Sequence, residues 1–284
     1  MLSQDQIDQY HRDGYTVAPA FLAPDRVDAI LAEVEGITRH SSKADHDAER
    51  MEMEPDQPDA GNRVRRLYEP CSYYPLFREL SDAPALLDAV AQLLGPDLVY
   101  HYSKLNMKPA EIGSVVEWHQ DLSYYPLTNR DSLAVLFYLD DADAQNGCLK
   151  MLPGRHRGDL LDHNDGRYFQ GRVTDAIEAS QAVDITGVAG TAIFMNGMVP
   201  HASNTNNSAR DRRTLILSYR AADAFPIYCG EMTGKTEVFS RLVRGQWAPS
   251  ARFDMEAFPI PQYRQKVVAS LYDLQEQSRQ EAAQ

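Results

Sequence analysis

The chain has 284 residues, 43% of them hydrophobic, and a formal net charge of −13. A chain of this length buries a core large enough to fold without staples, and its excess of acid repels phosphate backbones and anionic lipid, so neither is expected as a partner. No run approaches the roughly 20 consecutive apolar residues of a membrane span, and three scattered cysteines, Cys71, Cys148 and Cys229, make neither a disulfide framework nor a thiolate zinc site.

The N-terminus is polar from residue 3 and lacks the apolar segment of a secretory signal, so the expected compartment is the cytoplasm. Residues 3–13 read as a short helix, and "GYTVAPAFL" after them reads as extended. In "PDRVDAILAEVEGI" the residues Val27, Ile30, Val34 and Ile37 recur at helical spacing behind Pro24. Residues 41–62 are polar and contain prolines, which predicts a long mobile loop with His46 on a solvated face. "YPLFRELSDAPALLDAVAQLLG" predicts helical segments broken near Pro84 and ended by Gly95.

From about residue 97 the pattern changes to short β-branched and aromatic runs, among them "DLVYHYSKLNMKP", "SLAVLFYLDD", "GCLKMLPG", "GTAIFMNGMVPHAS" and "RRTLILSYRAA", separated by turn residues such as Asn146-Gly147 and Ala189-Gly190. Many short strands with turn signals predict a β-sandwich or barrel. From about Pro261, residues Tyr263, Val267, Val268, Leu271, Tyr272 and Leu274 predict a C-terminal helix. The expected organisation is a single domain over 1–284: a β core at about 97–225, a helical N-terminal part and a C-terminal helix.

The segment "EWHQDLSYYP" places His119 and Asp121 two residues apart. On a strand, residues i and i+2 share a face, so an imidazole and a carboxylate point the same way. A third ligand is available in His201, at the end of the apolar run in "MNGMVPHASNTN". Two histidines and one carboxylate form a facial triad that leaves three metal positions open, the arrangement of non-haem Fe(II) and oxygen chemistry. A second histidine–aspartate pair, His163 and Asp165, lies in "LLDHNDGRY", where Asn-Asp-Gly predicts a turn, and reads as a loop. Eleven residues after His201 comes Arg212, on a strand that the turn at "SNTNNSARD" folds back beside it. A fixed charge with a two-pronged donor suits a carboxylate held in one pose, such as the far end of a 2-oxo acid chelating the metal. Alternation sends Arg212 and Arg213 to opposite faces, and spacing alone leaves open which points inward.

These stretches, with "NGCLKMLPGRHRG" and "LNMKPAE", resemble the phytanoyl-CoA dioxygenase family of Fe(II)/2-oxoglutarate oxygenases over about residues 5–250. The resemblance implies a double-stranded β-helix, that is, a cupin-like jelly roll, mainly β with flanking helices. It implies Fe(II), 2-oxoglutarate and O2 as cofactor and cosubstrates, with His119, Asp121 and His201 on the metal and Arg212 on the 5-carboxylate. Ser203 would share that carboxylate, Lys104 or Asn106 would lie near the cosubstrate, and Phe137 would line the pocket. The family's halogenases replace the aspartate with a small residue; Asp121 is present here, so hydroxylation of an unactivated C–H bond of a small molecule, with release of succinate and CO2, is expected. The alternatives are a non-catalytic cupin-like metal-binding protein and, among enzymes, a hydroxylase of a branched acyl-CoA instead of an amino acid or secondary metabolite. Trp118, Tyr124 and Tyr125 read either as walls of the site or as core aromatics. His101, His156, Arg155 and Arg157 read as structural or solvated.

Overall fold

The computed structural model describes residues 1–263 and 270–282. The N-terminal part builds a helical layer. Helix α1 (Gln4–Asp13) begins with a capping box between Ser3 and Gln6 and ends at Gly14, whose φ of 84° is one that a side chain resists. Strand β1 (Tyr15–Ala18) and helix α2 (Pro24–Thr38) follow, the helix opening on a proline whose missing N–H costs nothing there. After β2 (Met51–Met53) and β3 (Val64–Tyr68) come α3 (Pro70–Tyr73), α4 (Pro75–Ser81) and α5 (Pro84–Leu94), each again starting on proline.

The β core then runs through β4 (Leu98–Lys108), β5 (Val116–His119), β6 (Ser132–Tyr138), β7 (Leu149–Met151), β8 (Val183–Ile185), β9 (Ala192–Asn196), β10 (His201–Ser203) and β11 (Arg212–Ala221). Helix α6 (Glu231–Glu237), strand β12 (Arg241–Arg244) and helix α7 (Leu271–Ala282) complete the described elements. The larger sheet has the order β1-β9-β6-β11-β4-β3-β2, with β12 also on β4; the smaller has the order β5-β10-β7-β8. From β4 to β11 the chain passes repeatedly between the two sheets, which is the jelly-roll course.

The larger sheet separates two apolar clusters. Leu105, Val135, Phe137, Phe194, Leu215 and Leu217 face the helices, with Ile30, Phe77 and Leu86 opposite them. Ala134, Leu136, Tyr138, Ile193, Met195 and Ile216 face the smaller sheet, with Leu149 and Met151. Period-2 alternation along β6, β9 and β11 produces this division. In β4 one extra residue, His101, is accommodated where Tyr100 opposes Tyr219 and Tyr102 opposes Ser218. That bulge resets the parity, so Lys104, Asn106 and Lys108 face the interior while Leu105 and Met107 join the helical side.

The structure departs from the sequence reading in several places. Residues 41–62 contain β2, because Met51 and Met53 alternate with Glu52 and bury against β3, Met51 opposite Leu67; the polar composition around them hid a short amphipathic strand. The large sheet draws in β1, β2, β3 and β12 from outside 97–225. The C-terminal helix starts at Leu271 and Pro261–Tyr263 is not helical, while Val267 and Val268 lie outside the described residues. Finally, Phe137 does not line the interior pocket. It opposes Leu215 on β11, and Leu215 faces the helices; its ring lies 6.0 Å from that of Phe21. The interior positions of β6 are Leu136 and Tyr138.

Phe137→Ala therefore acts on stability. It is expected to cost about 3–5 kcal/mol in denaturant unfolding, with 2-oxoglutarate affinity of the folded protein changed by less than about twofold, since large-to-small core changes act mainly through transfer and cavity terms.

Candidate metal and cosubstrate site

The smaller sheet brings the two histidines together. Strands β5 and β10 are antiparallel with His119 directly opposite His201, and the ring centroids are 4.1 Å apart. Asp121 is not on the strand, as the two-residue spacing implied. It opens a single 3-10 turn, Asp121–Ser123, in which Tyr124 N–H donates to the Asp121 carbonyl at 3.0 Å. The turn bends the carboxylate back over the two rings, so that Asp121 Oδ1 lies 3.9 Å from Nε2 of each histidine. One ligand atom from each of the three residues lies within 4.8 Å of the others, and all three residues are buried.

The ring orientations are set from behind. His119 Nδ1 is 2.8 Å from the Glu117 carbonyl and His201 Nδ1 is 3.0 Å from the Val199 carbonyl. A carbonyl only accepts, so each Nδ1 carries the proton and each Nε2 lone pair faces Asp121. Burial, then the neighbouring His201, pushes the His119 pKa well below the ordinary histidine value; burial lowers that of His201 too. Both rings are therefore neutral, the form that ligates a metal. Two imidazole nitrogens and one carboxylate oxygen on one side of a point fit a ferrous ion with open positions opposite.

Gln120, between the two ligands on β5 and the turn, fixes the backbone. Its side-chain amide donates to the Met198 carbonyl at 2.7 Å, and its side-chain oxygen accepts from Leu161 N–H at 2.8 Å. His163, correctly read as a loop residue, is buried; its Nε2 accepts from Gln120 N–H at 3.0 Å, and its Nδ1 donates to the Leu161 carbonyl at 2.7 Å. These bonds join the loops that carry the ligands. Nothing in the sequence spacing marks Gln120 or His163 for this task.

Arg212 is the inward residue at the start of β11. It is 5% exposed and lines a narrow inner pocket together with His119, Asp121, His201, Ser203 and Thr214. One terminal nitrogen donates to Thr214 Oγ1 at 2.8 Å and the other to the Gly147 carbonyl. Its Nε is buried without a hydrogen-bond partner among the described residues, the condition of a guanidinium awaiting an anion. Gly147 has a φ of 73°, and a side chain there would collide with the Asn204 carbonyl, so the Asn146-Gly147 turn is built to bring its carbonyl to the arginine. Arg213 turns the other way and grips Asp140 with two bonds of 2.8 and 2.5 Å. Lys104 and Asn106 both line the inner pocket, and so does Lys108, which the sequence reading did not single out. Burial, then the nearby Arg212, holds the Lys108 pKa well below the ordinary lysine value.

His119, Asp121 and Lys104 also line a larger outer cavity of about 910 Å³, walled by Arg66, Tyr102, Tyr124 and Tyr125 and by the loop that includes His46. Thus Tyr124 and Tyr125 face the site. His101 pairs with Glu237 at 3.1 Å.

A family model described as phytanoyl-CoA dioxygenase (PhyH) matches residues 10–214. A probable alpha-ketoglutarate-dependent hypophosphite dioxygenase of Stutzerimonas stutzeri is 30% identical over 255 residues, covering 84% of this chain and 89% of that protein. An ectoine dioxygenase of Bordetella parapertussis is 28% identical, covering 78% and 76%. The crystal structure of EctD from S. alaskensis with 2-oxoglutarate and 5-hydroxyectoine aligns with a TM-score of 0.65 at 26% identity, covering 78% of this chain and 77% of that one. With the family match running from α1 through both histidines and Arg212 into β11, the chain belongs to the phytanoyl-CoA dioxygenase family and is an Fe(II)- and 2-oxoglutarate-dependent dioxygenase.

Proposed function

We propose that His119, Asp121 and His201 hold the ferrous ion, that Arg212 with Ser203 and Thr214 holds the 5-carboxylate of 2-oxoglutarate, and that the small-molecule substrate enters through the outer cavity. The observation that carries this reading is the convergence of three ligand atoms within 4.8 Å, beside a buried arginine with an unpaired Nε. Lys104 and Asn106 flank the cosubstrate between the metal and Arg212, as their place in the inner pocket supports. Bound iron with 2-oxoglutarate and O2 supplies the oxidising power that hydroxylates a C–H bond while the cosubstrate is converted to succinate and CO2.

The chain's own residues then have three tasks. The backbone carbonyls of Glu117 and Val199 keep the ligand rings in one tautomer. Arg212 sets the depth and direction of the cosubstrate by a charge-assisted grip in a pocket that excludes water. Tyr124, Tyr125 and Tyr102 wall the space in which a substrate carbon approaches the metal. The relatives named for hypophosphite and ectoine support a small polar substrate over an acyl-CoA. We place the enzyme in the cytoplasm: its cysteines are all free and no helix among the described residues is long and apolar enough to cross a membrane. The acidic net charge supports the absence of a nucleic-acid partner.

Anaerobic loading with Fe(II) and 2-oxoglutarate, followed by a metabolite screen for compounds that stimulate succinate release on admitting O2, tests the reading. A hydroxylated product of one added compound is expected; iron binding without 2-oxoglutarate turnover under any condition would favour a metal store instead.

Two substitutions separate the roles. Asp121→Ala is expected to weaken Fe(II) affinity at least about 100-fold, measured by anaerobic titration, with the fold intact by circular dichroism. Arg212→Gln is expected to raise the Kd for 2-oxoglutarate by about 30- to 1000-fold, the equivalent of losing one partner of a buried charge pair, while Fe(II) binding persists. Arg213→Gln, on the opposite face, should leave the Kd for 2-oxoglutarate within about twofold, as expected for a partly exposed ion pair.

A further inference from the structure

The outer cavity contains a second buried arginine, outside the inner pocket of Arg212. Arg66 lies on β3 at 4% exposure and lines the cavity with His119 and Asp121. It points inward where it opposes the inward-facing Asn106 on β4, and a bulge in β3 brings Arg65 to the same side: Glu52 opposes Arg66 and Met53 opposes Val64, leaving Arg65 as an extra residue. Both guanidiniums consequently lie over the ring of Tyr272 on α7, Arg65 at 4.2 Å and Arg66 at 4.8 Å.

The two arginines differ in their partners. Arg65 pairs with Glu52 at 3.2 Å and with Glu54 at 3.6 Å. The other contacts of Glu52 are also taken, by Tyr68 Oη at 2.7 Å and Ser270 Oγ at 2.7 Å. Glu69, a further carboxylate of the cavity wall, accepts from Ser103 N–H, Tyr100 Oη and Ser72 Oγ. Arg66 has no carboxylate within salt-bridge distance among the described residues; its hydrogen bond is from Nε to Asn106 Oδ1 at 2.9 Å, and one terminal nitrogen is buried with no partner. A buried terminal N–H without a partner is costly, and a ligand that supplies an acceptor beside the guanidinium removes that cost. Its orientation is fixed in advance by Asn106 and by the rings of Tyr272 and Tyr68, so little freedom is lost on binding.

We infer that Arg66 is the substrate's anchor, and that the substrate of the oxygenase reading above carries a compact oxyanion, such as a carboxylate or a phosphorus oxyanion, which Arg66 holds while the carbon to be hydroxylated faces His119 and Asp121. Asn106 lies between the two anion sites: it accepts from Arg66 and lines the inner pocket that holds Arg212. Cosubstrate and substrate anions are thereby kept on opposite sides of one side chain.

The test uses the whole enzyme loaded anaerobically with Fe(II) and 2-oxoglutarate, whose visible charge-transfer band reports the cosubstrate complex by itself. Small carboxylic acids and phosphonates are added beside their primary amides and neutral esters, reading the shift of the band and, with O2, succinate release. For the wild type, anionic members are expected to shift the band and stimulate release, and their neutral counterparts to do neither. In Arg66→Gln the anions are expected to bind at least about tenfold more weakly, whereas the band itself still forms; Arg66→Lys, which keeps charge without the fork, should fall between. Neutral compounds acting as well as anions, no anion acting on the wild type, or equal anion affinity in Arg66→Gln would overturn the inference. Loss of the band in both Arg66 variants would also overturn it, by assigning Arg66 to the cosubstrate. Absence of the band in the wild type is a different result, and it would remove the oxygenase reading itself.

Discussion

The register of one short strand pair governs the site. Only with His119 opposite His201 do two rings arrive 4.1 Å apart with both Nε2 atoms on the same side. A shift of one residue would turn one ring to the other face of the small sheet. The register is held by contacts that lie outside the pair itself. Gln120 ties the β5 end to the loops at Leu161 and Met198, and Leu122 N–H donates to the Gly197 carbonyl at 3.1 Å. The three converging side chains are thus positioned by uncharged hydrogen bonds among loops.

The larger sheet provides a second constraint, the parity of its long strands. β4 and β11 each present one face to the helices and one to the interior, and the inward face of both carries basic side chains: Lys104 and Lys108 on one, Arg212 on the other. This interior contrasts with the net charge of −13 for the whole chain. Net charge describes how the molecule meets other macromolecules; it does not describe a pocket whose walls are fixed by strand alternation. A dianionic cosubstrate and an anionic substrate are both compatible with an acidic protein once basic side chains are turned inward.

Much of this was legible in the chain. The helices at 3–13 and after Pro24, the strand succession after residue 97, and the set His119, Asp121, His201 and Arg212 follow from spacing and from resemblance. Other features depend on strand pairing. The resemblance places Phe137 in the pocket, but its face is settled by which residue of β11 it opposes, and that residue is Leu215. Arg66 is hidden in the sequence for a related reason. Beside Arg65, simple alternation allows only one of the two to face inward, and the β3 bulge brings both over Tyr272. Bulges at His101 and Arg65 leave no sequence signature of their own, so every parity argument that crosses them fails. Gln120 binds backbone groups at Met198 and Leu161, and His163 the Gln120 N–H, all distant in the chain, which spacing cannot reveal.

The most direct test is a crystal structure of the protein loaded anaerobically with Fe(II) and 2-oxoglutarate. The account predicts one metal within bonding distance of His119 Nε2, His201 Nε2 and an Asp121 oxygen, with the far carboxylate of the cosubstrate on Arg212. A metal held elsewhere, or a cosubstrate whose far carboxylate rests on Arg66 in the outer cavity, would contradict it.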